Sequence, residues 1–360
     1  MNAHPPGTAA WACLLLTAIG LGIAACQSAP NVAGLSPAVD HHVHPRSETA
    51  GRDLPRVQQA RGVPRSEWSR GRLGAEDVLR EMDRNGIGQA VLVSMAYMYG
   101  IPELDFPDES GRVRRENDFV IEQAGRAPNR LVAFCSVQPL RDYAPGEVRR
   151  CAGYDAVRGI KLHMANSDVD LHDEEEVAAL AEIFSRAAEE GLGLLIHLRP
   201  RGPGYGEEEI RVFLEELLPH ADNTPVQLAH LGGGGMVDLA TFRAVRDLAG
   251  QVSEHDNLWF DLSAVYLRER DAPSDTGGRA AVRQNRWRVA RLIDELGPGR
   301  ILFGSDWDAR AVSDTLGPLR NSPWLTPDQL AEILANRAPY LDPPKPATGS
   351  DSRQDAGEPD

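Results

Sequence analysis

The chain has 360 residues, 42% hydrophobic and 25% charged, enough apolar material for a sizeable core and too much for a disordered chain. A formal net charge of −15 argues against a nucleic-acid partner, because phosphate neutralisation needs a basic face. Lysine occurs only as Lys161 and Lys345, so Lys161, set in an apolar run, stands out.

Taken in order, residues 9–25 are nearly continuously apolar or small and have the length of a secretory hydrophobic region. The run closes on Ile23-Ala24-Ala25-Cys26, which resembles the lipobox of bacterial lipoproteins. That resemblance implies a lipidated Cys26 and a lipid anchor to the membrane. Gln27, which is not acidic, favours the outer membrane, with the protein facing the periplasm. A plain cleaved signal or an uncleaved anchor is the alternative. The expected organisation is a signal peptide at 1–26, a polar linker at 27–36, one catalytic domain at 37–342 and a disordered Pro/Gly/Ser-rich tail at 343–360.

Strand-length apolar runs then recur at 38–42, 89–95, 131–138, 157–163, 192–198, 225–231, 258–263 and 301–306. Spaced apolar residues between them predict helices at 75–85, 115–126, 174–190, 207–220, 237–249, 282–296 and 326–337, with a weaker one near 145–152. Gly86 and Gly191 stand just past helix ends, and Pro327 follows Thr326 at a first helical position. Buried strands alternating with amphipathic helices in eight units predict an α/β fold, a (β/α)8 TIM barrel. No Gly-x-Gly-x-x-Gly follows an early strand, which excludes a dinucleotide-binding fold. Residues 46–74, rich in Arg, Pro and Gly, read as a loop at the barrel mouth. Cys135 and Cys151 have one disulfide open to them in an oxidising compartment. The reading favoured here is that Cys135, inside an apolar run, is a buried small hydrophobe.

The chemistry-bearing residues fall at strand ends. In Asp40-His41-His42-Val43-His44-Pro45, side chains two apart on a strand share a face, so His42 and His44 can hold one ion. Lys161 and His163, His197, His230 and Asp306 end the fourth, fifth, sixth and eighth strands, and in a barrel those ends converge on one mouth.

The ordered set Asp40–Pro45, Gly159-Ile160-Lys161-Leu162-His163, Ile196-His197, Ala229-His230-Leu231-Gly232-Gly233, Phe303-Gly304-Ser305-Asp306 and Asn336-Arg337 resembles the amidohydrolase superfamily, in its amidohydrolase-related family 2 branch. The resemblance implies a divalent metal, zinc first, on His42, His44, His197 and Asp306, with His230 beside it. One ion is favoured, and two fit if Lys161 is carboxylated and bridges them. Otherwise Lys161 stays an ammonium and holds a substrate carboxylate. Two departures bear on the substrate: Asp306-Trp307-Asp308 replaces the aromatic-proline pair after the aspartate, and the loop after strand five is basic, with Arg199 and Arg201 serving either to clamp an anion or as a solvated rim.

The expected reaction is hydrolysis of an ester, lactone or amide-type bond in a small, anionic molecule by metal-activated water. Asp306 is the general base, His230 the oxyanion stabiliser, and Asp261 a supporting residue behind the ligands. The alternatives are a metal-dependent non-oxidative decarboxylase and a non-catalytic ligand-binding lipoprotein. A homo-oligomer is compatible with all three.

Overall fold

The computed structural model describes residues 34–62, 71–202, 204–272 and 276–342. The expected signal segment, Cys26, most of the linker and the tail lie outside the described residues. No helix among the described residues is long and apolar enough to cross a membrane.

Eight strands form the sheet: β1 (Val39–Val43), β2 (Gln89–Val93), β3 (Leu131–Ser136), β4 (Val157–His163), β5 (Gly193–His197), β6 (Val226–Leu228), β7 (Leu258–Asp261) and β8 (Ile301–Leu302). Each pairs in parallel with the next, in the order β1 to β8. They are almost wholly buried on both faces, as parallel strands wrapped by helices must be. The ring closes between its two ends through single contacts. The His41 amide donates to the Phe303 carbonyl at 2.9 Å and the Asp306 amide to the His42 carbonyl at 2.9 Å, and Val43 bridges Trp307. This is the (β/α)8 barrel that the strand count predicts.

The helices are α1 (Glu48–Arg61), α2 (Ala75–Asn85), α3 (Glu109–Gly125), α4 (Ala144–Ala152), α5 (Met164–Ser167) and α6 (Glu174–Glu189). They continue with α7 (Glu207–Val212), α8 (Leu239–Ala249), α9 (Thr276–Leu296), α10 (Val312–Arg320) and α11 (Pro327–Ala335). One apolar layer lies between strands and helices. A second fills the barrel interior, where Val39, Val93, Phe134 and Leu302 meet Tyr340, supplied from below after α11. Tyr340 donates its hydroxyl to Gln227 at 2.5 Å, so the floor is plugged and the opposite mouth is left for chemistry.

Two expectations need correction. The stretch expected as a loop at 46–74 contains α1, a full helix despite Pro55, capped by Ser47 and closed by Gly62 in a left-handed conformation. Its buried face, Ala50, Leu54 and Val57, packs against Met95–Tyr99 and Phe106, so it roofs the mouth as a packed element. Gly51 permits this, because a Cβ there would stand 2.3 Å from the Gly71 carbonyl oxygen. Secondly, Cys135 is not a free buried thiol. It is joined to Cys151, tying β3 to α4 across a 16-residue separation.

Candidate metal centre

β1 places His42 and His44 on one face, both buried. The Nδ1 of His42 faces Asp261 Oδ2 at 3.0 Å, and the Nδ1 of His44 faces the Val93 carbonyl at 3.1 Å. Both partners only accept, so each Nδ1 carries the proton and each Nε2 keeps a lone pair. The two Nε2 atoms point at each other across 3.1 Å. Asp306 Oδ1 lies 3.3 Å from His44 Nε2 and 3.8 Å from His42 Nε2. Asp306 sits with φ 64°, a left-handed conformation costing a residue with a side chain about 1–3 kcal/mol. Its amide bond to the His42 carbonyl helps hold it there.

Asp261, at the end of β7, organises the rear of this group. It accepts from His42, from Gln227 Nε2 at 2.6 Å, from the His230 amide at 3.0 Å, and from the Ser263 amide and hydroxyl at 2.9 and 2.5 Å. Burial opposes its ionisation, but His42, His230 and these donors override it and hold the carboxyl below the usual range. The supporting role expected of Asp261 is the one its contacts describe.

His230, also left-handed at φ 58°, points its Nδ1 at the Ser263 carbonyl at 2.8 Å. The one hydroxyl proton of Ser263 goes to Asp261, so His230 must donate from Nδ1 and keep its Nε2 as an acceptor. Burial lowers its pKa. In that neutral form its Nε2 carries no proton.

His197 lines the same cavity, with its ring stacked on His163 at 3.9 Å between centroids and set edge-on to His230 at 5.1 Å. Its nitrogens are not among those that gather within 4.8 Å of His42 and Asp306, and its Nδ1 is buried without a hydrogen-bond partner. Lys161 is buried, and burial pulls its ammonium from the usual 10.5 down to about 8, against the opposing charges of Asp261 and Asp306.

These residues open onto a cavity of about 510 Å³. Its walls are apolar where α1 and the turn after β2 supply Leu54, Val57, Met95 and Met98. Its charged lining comprises Lys161, Arg61, Arg201 and Arg310 against the single carboxylate of Asp306. Arg61 and Arg201 are shared with Asp168 and Glu103 at 2.9 to 3.5 Å. Arg199, one of the two arginines read as an anion clamp or a solvated rim, binds Asp238 at 2.8 Å and Thr241.

The family model described as Amidohydrolase matches residues 39–335. The chain belongs to the amidohydrolase family. Gamma-resorcylate decarboxylase from Polaromonas sp. (strain JS666 / ATCC BAA-500) is 24% identical over 277 residues, 68% of this chain and 81% of its own length. Among solved structures, 5-carboxyvanillate decarboxylase from Sphingomonas paucimobilis shares the fold with a TM-score of 0.59 at 17% identity, over 83% of this chain and 96% of the other. Dihydroxybenzoic acid decarboxylase from Polaromonas sp. JS666, with bound manganese and the inhibitor 2-nitroresorcinol, does so with a TM-score of 0.57 at 17% identity, over 85% and 97%.

The donor set of this amidohydrolase-family chain fits a divalent cation. Ligands bonded at about 2.0–2.2 Å around one ion stand roughly 3.3 Å from one another, and the three observed separations of 3.1, 3.3 and 3.8 Å bracket that. Two lone pairs and a carboxylate facing one point repel one another, and a cation at that point turns the repulsion into attraction. Sequence reasoning placed all of these residues at the mouth. It missed the roof from α1, because Gly51 and Pro55 mask its helical period, and it missed that the Ser263 carbonyl sets the His230 proton.

Proposed function

We propose that this protein is a metal-dependent decarboxylase of small ring carboxylates. The observation that carries the reading is the cavity itself, a small, apolar-walled chamber with the Lys161 ammonium beside a His/His/Asp donor set. The kinship with gamma-resorcylate decarboxylase supports it over hydrolysis. His42, His44 and Asp306 hold the ion, with His197 as the further imidazole at the wall. Zinc and manganese both suit this donor set. Held there, the ion would supply a Lewis acid for substrate oxygen.

The remaining work falls to the chain. Lys161 holds an anionic substrate oxygen as a point charge. His230, with its Nε2 lone pair toward the cavity, accepts a proton from a substrate hydroxyl. The roof from α1 excludes water, which a decarboxylation does not consume. As the carbon–carboxylate bond breaks, its electron pair stays on the ring carbon and takes up a proton. Lys161, with its pKa drawn down to about 8 by burial, carries one at neutral pH.

The test is product analysis with gamma-resorcylate and 5-carboxyvanillate in D2O, using protein loaded with manganese or zinc. Carbon dioxide release with a deuteron on the ring carbon is the expected result. Water incorporation into an ester or lactone panel, without carbon dioxide, would replace this reading with the hydrolase. Turnover on neither panel by folded, metal-loaded protein would favour a ligand-binding role.

We further propose that the protein works in the cell envelope, held by a lipid on Cys26. The Cys135–Cys151 disulfide supports an oxidising compartment. Metabolic labelling with palmitate, abolished by Cys26→Ala, tests the anchor.

A further inference from the structure

His42, His44 and Arg46 follow one another at alternate positions where β1 runs into the mouth, and each is cross-linked to the segment after β8. The His42 carbonyl accepts from the Asp306 amide at 2.9 Å, and the His44 amide donates to the Trp307 carbonyl at 2.6 Å. Arg46 makes the third rung with its side chain. Its Nη1 donates to Asp308 Oδ1 and its Nη2 to Asp308 Oδ2 at 3.0 Å, a bidentate fork between residues 262 positions apart. Arg46 is 0% exposed and the Asp308 side chain 8%.

The same arginine is fixed on its other sides. Its Nε donates to the Gly71 carbonyl at 3.1 Å, and its backbone exchanges two hydrogen bonds with Leu73, at 3.0 and 2.9 Å. Next to it, Ser47 donates its amide and hydroxyl to the buried Glu116 at 3.0 and 2.5 Å. The guanidinium is therefore immobilised before it meets Asp308.

Beyond β8 these rungs, with the His41–Phe303 and Ser305–Asp40 hydrogen bonds below them, set how far His42 and His44 stand from Asp306. Those three donors repel one another when brought together, so their spacing must be imposed from outside. We propose that the Arg46–Asp308 pair is a positioning clamp that fixes the distance between the two histidines and Asp306, and so sets the affinity for the divalent ion. This rests on the metal reading given above. Neither residue belongs to the His42, His44 and Asp306 donor set. A planar fork in a buried site transmits geometry that a single-point contact cannot.

The test is titration of chelator-treated full-length protein with Zn²⁺ and Mn²⁺ by calorimetry, in wild type, Arg46→Lys and Asp308→Asn, with the thermal midpoint of each metal-free protein recorded alongside. Arg46→Lys keeps the charge and loses the fork, while Asp308→Asn keeps the shape and loses the charge. The expected result is a Kd raised about 10- to 100-fold, the range for residues that orient metal ligands, in variants whose metal-free forms melt lower than wild type but still in one cooperative transition. Kd values within twofold of wild type in folded variants would overturn the clamp and leave the metal reading standing. Wild type that binds neither ion would overturn both. If Arg46→Lys does not fold, Asp308→Asn decides. Failure of both to fold would overturn the clamp in favour of a general structural pair.

Discussion

His42 and His44 present their Nε2 atoms to each other at 3.1 Å, each with its proton held on the far nitrogen by Asp261 and by the Val93 carbonyl. Burial lowers the His42 pKa to about 4, so protonation does not relieve the opposition at neutral pH. A cation does. Chelation should therefore cost stability as well as activity. At a free ion concentration about 100 times Kd, binding to the folded state alone contributes about 2.7 kcal/mol, or roughly 5 °C in Tm for a chain of this size. Melting curves in EDTA and in graded Zn²⁺ or Mn²⁺ measure it, and a midpoint indifferent to all three would sink the donor-set reading.

Asp261 should separate stability from metal affinity. Asp261→Ala leaves His42, Gln227, Ser263 and the His230 amide without their shared acceptor, and breaking such a buried network costs about 3–5 kcal/mol. Asp261→Asn keeps most of the packing but can turn an amide N–H toward His42 Nδ1, which pushes the proton to Nε2 and removes the lone pair. Its Kd for the ion should rise about 10- to 100-fold while the fold survives. Denaturant titration and metal titration of the two variants distinguish these outcomes, and equal metal affinity in Asp261→Asn and wild type would refute the tautomer argument.

Much of this was legible in the residues. β4 and α2 begin and end where the apolar pattern does, because Gly86 supplies the left-handed residue that stops α2 and β4 is a continuous buried run. The expected strands at 225–231 and 301–306 are shorter, since His230 and Asp306 leave the extended conformation where they reach the site. Propensity follows what a segment prefers alone, and these two residues are held by distant partners, Asp261 and His42. The disulfide was hidden for a related reason: Cys135 looks like any buried apolar residue until α4 brings Cys151 against it. The Arg199 guanidinium is claimed by Asp238, the N-cap of α8, and by Thr241 in its first turn, partners that the sequence pattern does not join to it.

The disulfide itself gives a third test. Cross-linking residues 135 and 151 removes loop entropy from the unfolded chain, about 3 kcal/mol for a loop of this length. Both sulfurs are buried, so the double variant Cys135→Ala, Cys151→Ala also loses packing. Protein oxidised during purification should melt about 5–10 °C above the double variant. It should do so with metal affinity unchanged, because neither cysteine lies in the cavity lining. Calorimetric scans with and without reductant check it; identical midpoints would show that the bond does not form in solution.

Lys161 ties stability to activity with a definite sign. Its folded pKa is about 8 against the usual 10.5, so between those values the unfolded chain binds more protons and stability rises with pH. Below about 8 the ammonium is present in both states and its burial cost is felt in full. As pH climbs through 8 the folded form releases the proton and the cost is relieved. Lys161→Met removes the buried charge at a similar volume, so the metal-free variant should be more stable than wild type at pH 7, by an amount on the order of 3 kcal/mol. The difference should shrink towards pH 10. The same substitution removes the proposed proton source, so turnover should fall by at least about 100-fold. Denaturant titrations of both metal-free proteins at pH 7 and pH 10, beside decarboxylation assays of the loaded enzymes, give the two readouts. A variant no more stable than wild type at pH 7 would mean that Lys161 is carboxylated or ion-paired rather than a strained ammonium, and carbamate formation would then appear as bicarbonate-dependent metal uptake.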